Sequence, residues 1–132
     1  MEFNEEQTKL IREYIHLSEL VHESLHELKV LETSRVTLKD LNMRMTKMFG
    51  TYFNARLKDA QKAMWRQGIN VRKDDQGGEI VYFDVTVRGV KSRFGIKRIV
   101  LEDELRVMCD KLGKQIENAK FEEYKVEVKR QG

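Results

Sequence analysis

The sequence predicts an α+β fold: an N-terminal antiparallel helical hairpin, a small antiparallel β-sheet and a C-terminal helix. Three observations predict it. Apolar residues recur at helical spacing through the first half of the chain, alternate with polar ones over residues 79–88, and return to helical spacing after residue 100. A length of 132 residues suits one domain with a modest core, so residues 1–132 are read as a single domain.

Residues 1–34 read as one long amphipathic helix. Leu10, Tyr14, Leu17, Val21, Ser24, Leu28 and Leu31 follow a 4-3-4-3 spacing, with Ile11 and Leu25 alongside, which makes a stripe suited to pack on another helix. Thr33 and Ser34 interrupt it. Thr37 with Asp40 then resembles a capping box that opens a second helical stretch over 37–67. Its stripe runs through Leu38, Leu41, Met45 and Met48, then shifts at Gly50 to Phe49, Phe53, Leu57, Ala60 and Met64. Residues 38–67 are therefore one bent helix or two. Trp65 and the methionines at 43, 45 and 48 read as core or contact residues.

Gly68 ends the helices, and residues 69–98 read as a β-hairpin or sheet. Ile69–Arg72 and Glu79–Arg88 flank the turn Asp74-Asp75-Gln76-Gly77-Gly78, with Val81, Phe83, Val85 and Val87 on one face, and a third short strand runs through Ser92–Ile96. Leu101, Leu105, Met108, Cys109, Leu112 and Ile116 place a helix over 100–119 with the thiol in its apolar stripe, where it would be buried and inert. Tyr124, Val126 and Val128 alternate, which suggests a last strand or a docked tail over 121–130.

Composition excludes several classes. No run of 18 or more apolar residues is present, and the start is acidic at Glu2, Glu5 and Glu6, so neither a spanning helix nor a signal peptide is expected, and no membrane partner. The lone cysteine allows no internal disulfide and fits a cytoplasmic setting. The net charge of +3 is unevenly spread: residues 1–34 hold eight acids and three bases, and residues 35–100 hold fifteen bases and six acids.

One motif invites an enzymatic reading. His22-Glu23-Ser24-Leu25-His26 matches H-E-x-x-H, in which two imidazoles a helical turn apart grip zinc and the glutamate activates its water. Here the only other histidine is His16, upstream on the same helix, and no third ligand stands in a recognisable motif. With Val21 and Leu28 on the packing stripe, His22, Glu23 and His26 fall on the opposite, charged side, beside Arg12, Glu19 and Lys29. A zinc-dependent hydrolase using His22 and His26 is thus a remote alternative. The loop from Gly89 to Lys97 fails as a phosphate-binding P-loop, because five residues separate its glycines and Arg98 follows the lysine. No cofactor, metal, small-molecule substrate or enzymatic activity is expected.

The function expected is a non-enzymatic cytoplasmic protein-interaction module. It would bind a protein partner or, through Leu10, Tyr14, Leu17, Val21, Leu25, Leu28 and Leu31, another copy of itself, because this stripe, widened by Ile15, Leu20 and Val30, exceeds what one short helix can cover. The alternative is nucleic-acid binding by a winged-helix-like arrangement. It would use Arg44, Lys47, Arg56, Lys58, Lys62, Arg66, Arg72, Lys73, Arg93, Lys97 and Arg98, with Tyr52–Gln67 as the recognition helix.

The runs "LKVLE" at 28–32, "LKDAQKAMWRQGINV" at 57–71, "IVYFDVTVRGVKSRFG" at 80–95 and "LEDELRVM" at 101–108 resemble the small YhjD-like proteins of bacilli. That resemblance implies helix, helix, two strands and helix in order, and a bacterial or phage source. It transfers no catalytic residue.

Overall fold

The computed structural model describes residues 3–131, with side chains described over 3–118. The elements are α1 (Glu5–Glu32), α2 (Lys39–Arg66), β1 (Ile69–Asp74), β2 (Ile80–Val87), β3 (Val90–Lys97) and α3 (Arg98–Gln131). They confirm the α+β class, with a helical hairpin, an antiparallel sheet and a C-terminal helix. The chain divides into two compact units, Met1–Arg98 and Ile99–Gly132.

In the first unit, α1 starts at a reciprocal capping box. The Asn4 side chain accepts from the Gln7 amide at 2.7 Å, and the Asn4 amide donates to Gln7 Oε1 at 3.2 Å. The box expected at Thr37 and Asp40 does not form. α2 begins after Leu38 with no side-chain cap, and Lys39 instead reaches back, its Nζ donating to the Glu32 carbonyl at 2.7 Å. The connection is so short that a cation on the second helix satisfies the C-terminal end of the first.

α1 is buried on two sides. Leu17 is fully enclosed, and Ile15, two residues earlier and so about 200° around the helix, is 1% exposed. The Leu17 side carries Ser24, which lies against Gly50 of α2: a Cβ added at Gly50 would sit 3.4 Å from that of Ser24, so the two small residues let the helices approach closely. The Ser24 hydroxyl is satisfied locally by donating to the Leu20 carbonyl at 2.8 Å. The Ile15 side carries buried Ile11, and neighbouring Glu19 pairs with Lys73 of β1 at 2.7 Å, so this side meets the sheet. α2 buries one narrow stripe, Phe53, Ala60 and Met64, and runs as a single helix through Gly50. α2 also contacts β1, the strand that follows it.

The sheet has the order β1-β2-β3, antiparallel throughout, so β1 and β3 are its edges. Val81, Phe83, Val85 and Val87 of the central strand are all buried, joined by Ile69 and Val71 from β1. Phe94 stacks on Phe83 with ring centroids 5.7 Å apart. β3 spans Val90–Lys97, longer than the segment expected, because Arg88 and Gly89 both adopt positive φ and close a two-residue turn directly onto it. On the outer face Lys91, Arg93 and Lys97 alternate along β3, and Tyr82 lies beside Gly95, where a Cβ would meet its ring at 3.2 Å and Ile80 Cγ2 at 2.5 Å.

In the second unit, α3 continues to Gln131, so the backbone over 121–130 is helical and not a strand. Polar residues between Tyr124, Val126 and Val128 gave an alternation, but the segment continues the helix before it and intrahelical hydrogen bonding prevails. The side chains of that segment lie outside the described residues. Cys109 is exposed, not buried: it lies within about 60° of Leu105 and Leu112 on α3, but that apolar stripe is only half-covered there. No helix of the described residues is long and apolar enough to cross a membrane.

Because opposite sides of α1 are both core, Leu17→Ala and Ile15→Ala should each cost about 2–5 kcal/mol in urea denaturation. A loss confined to one of the two would contradict the central position of this helix.

Candidate functional site

The residues expected to form an interface have divergent fates. Leu17 is enclosed, whereas Leu10, Tyr14, Val21, Leu28 and Leu31 are half-buried and Leu25 is 58% exposed. Much of the stripe is thus consumed by the contact with α2, as Ser24 against Gly50 shows. Of the residues thought to widen it, Ile15 and Leu20 are core, and Val30 is exposed.

What remains is concentrated toward the hairpin turn. Beyond Ser24 no residue of α1 is buried, and before Phe53 no residue of α2 is. The exposed large apolar residues Leu25, Val30, Val36, Leu38, Leu41 and Met48 all fall in this stretch. A groove of about 480 Å³ opens between the helices, with Val21, Leu25 and Leu28 on one flank and Lys47, Thr51 and Asn54 on the other, and Gly50 and Ser24 at the seam. Leu25 comes fourteen residues after Ile11, within about 40° of the same helical face. Val21, Ser24 and Leu28 lie about 80–140° from Ile11, so the groove continues the α2-facing stripe of α1, with Leu25 at its edge.

The zinc reading finds no support in the geometry. His22, Glu23 and His26 are exposed, and among the described residues no three histidine, cysteine or carboxylate side chains gather where they could hold a metal ion. The expectation that this side of α1 faces water along its length is corrected, since Ile11 and Ile15 on the same side are core.

The basic residues do not form one surface. Winged-helix geometry is absent, since Tyr52–Gln67 has no turn before it and belongs to the unbroken α2. Arg56 pairs with Glu13 at 3.4 Å, and Lys73 with Glu19. Arg93 pairs with Asp74 at 2.7 Å and Asp84 at 3.4 Å, and stands over the Tyr82 ring at 4.7 Å. The hydrogen bond that Arg93 donates to Asp74 holds its guanidinium charged even above its usual range. Arg72 and Lys91 line a shallow groove of about 530 Å³ on the outer sheet face beside these pairs. Arg44, Lys47, Lys58, Lys62 and Arg66, by contrast, stand exposed on α2.

Two features were not foreseen. Trp65, expected in a contact, is 82% exposed. Asp75 clamps the first β-turn: it accepts from the Gly77 amide at 2.9 Å and forms a two-pronged pair with Arg98, at 2.6 and 3.1 Å, while Arg98 Nε donates to the Gly78 carbonyl at 3.0 Å. The Arg98 hydrogen bonds, followed by the Gly77 amide, hold the Asp75 carboxyl well below the usual carboxylate range. The Asp-Asp-Gln-Gly-Gly turn was legible, but its distant cation was not.

A family model described as YhjD protein matches residues 2–117. No curated protein and no solved structure matches the chain.

Asp75 gives up its proton more readily in the folded chain than in the unfolded one. Its contribution to stability is in place above the ordinary aspartate value of about 3.9 and is lost as the pH falls from there toward its own lower pKa. Denaturation midpoints measured from about pH 5 downward should therefore fall more steeply for the wild type than for Asp75→Asn. Parallel slopes would contradict the clamp.

Proposed function

Since the chain belongs to the YhjD protein family, and that kinship brings an architecture without a chemistry, we propose from its surfaces that it is a non-enzymatic cytoplasmic interaction module that pairs with a second copy of itself. The observation that carries this reading is the exposure of Leu25, Val30, Val36, Leu38, Leu41 and Met48 toward the turn end of the hairpin, where Leu25 also lines an open groove. Six exposed apolar residues at one end of the hairpin favour association there.

Charge supports a second copy as the occupant. α1 holds seven acids and three bases, a net −4, while α2 holds two acids and seven bases, a net +5. Two hairpins related by a two-fold axis set each α1 beside the partner's α2, so opposite charges face each other at two equivalent places. The apolar end supplies the affinity, and the helix charges select the antiparallel pairing over the parallel one. The exposed Cys109 thiol is compatible with a reducing compartment.

Sedimentation equilibrium should find a dimer for the wild type, and Leu25→Glu should shift it to monomer by at least about tenfold in dissociation constant without lowering the urea midpoint of the monomeric form. Raising the salt to about 0.5 M should weaken the dimer, because exposed charges are screened. A wild type that stays monomeric at the highest concentration examined would end this reading.

A further inference from the structure

The outward face of α2 carries a second surface. Opposite its buried stripe, about 180° from Phe53 at ~100° per residue, lie Arg44 and Lys62, each nine residues from Phe53 and each exposed. Lys58 and Arg66 fall within about 40° of that crest and are exposed as well. Among the described residues none of these four has an acidic partner; Asp40 and Asp59, about 40° and 60° off the crest, are the two acids on this half of the helix. Between the cations the crest carries Thr51 and Ala55, with exposed Met48 about 40° to one side, and the Thr51 hydroxyl is already donated to the Lys47 carbonyl at 2.9 Å.

We infer that this face docks in the major groove of duplex DNA. α2 is held to its unit by one stripe, so it stands out as a cylinder about 10–12 Å across, and a major groove about 12 Å wide admits such a helix. The cations form two groups. Arg44, with Lys47 on its flank, stands at one end, and Lys58, Lys62 and Arg66 at the other. The interval from Lys47 to Lys58 is about 16 Å, so long side chains at its ends reach the phosphates bordering the groove while Thr51 and Ala55 face the floor. An anionic membrane fits less well, because a flat surface meets the crest at Thr51 and Ala55, while exposed Met48 and Trp65 stand about 40° and 60° off it on opposite flanks and do not form one apolar edge. Duplex RNA fits less well too, its major groove being too deep and narrow for a helix. Four to five phosphate contacts without base-reading side chains imply binding that depends on charge and shape more than on sequence.

Trp65 supplies the reporter. It is the only tryptophan, 82% exposed, and stands about 60° from the crest beside Lys62 and Arg66, where the near strand of DNA would pass. This surface is centred about 120° around α2 from Gly50 at the groove seam. Lys47 and Thr51 also line that groove, and the α2 cations would face the partner's α1 in the self-association proposed above, so the two uses of α2 compete.

The test is titration of the full chain with a mixed-sequence DNA duplex of about 20 base pairs at about 50 mM salt, followed by Trp65 fluorescence. Saturable change is expected, with a slope of log affinity against log salt near −4, from about 0.9 per phosphate contact. Lys58→Glu with Lys62→Glu should lower affinity at least about tenfold and flatten the slope by about 2. Lys29→Glu, on α1, should change neither. No binding at this salt would overturn the inference, as would equal loss in Lys29→Glu. So would fluorescence that responds to vesicles rich in phosphatidylserine and not to DNA. The wild-type slope stands as a separate measurement if the double variant is poorly folded.

Discussion

The double burial of α1 organises the first unit. With Leu17 on the α2 side and Ile15 on the sheet side, this helix is buried on opposite sides, while α2 meets the sheet at β1. Ser24 and Gly50 make that arrangement tight, because a larger side chain at either would hold α2 away and open the Leu17 side to water. The cost of this design falls on the outer helix. α2 gains burial from a single stripe, and its remaining circumference is left to carry charge and Trp65.

A hairpin longer than the sheet that covers it leaves an end with apolar residues and no internal neighbour. In this chain the boundary is sharp, falling between Ser24 and Leu25 on α1 and before Phe53 on α2. The proposed pairing and the proposed groove-docking face thus derive from one cause. The central helix takes up the burial capacity of both its sides near the sheet, and what lies beyond or outside is available for other molecules.

Much of this was legible because periodicity survives in side-chain spacing. The 4-3-4-3 stripe from Leu10 to Leu31 identified the α1–α2 seam, the alternation from Val81 to Val87 identified the inner face of β2, and the glycines at 77 and 89 marked the two turns. What escaped depended on which neighbours exist. Ile11 and Ile15 looked like the margin of one stripe and are a second core face, because the sheet that covers them is remote in sequence. Trp65 and Cys109 sat at plausible apolar spacing with nothing there to cover them. Spacing likewise put the eleven basic residues in one group. Ion pairs drawn from distant elements, Glu13 for Arg56 and Glu19 for Lys73, removed several of them, and only the geometry of α2 separated the rest.

The alternating cations of β3 have a bearing on how the chain avoids errors while it folds. An eight-residue edge strand with Phe94 and Ile96 on its inner face is a template onto which a second, partly folded copy could add a strand. Lys91, Arg93 and Lys97 would then face their own counterparts across the new seam, and like charges set side by side in a ladder repel. The sheet thereby discourages extension of itself, and encounters between copies are left to the helices, where the surfaces are complementary and not alike.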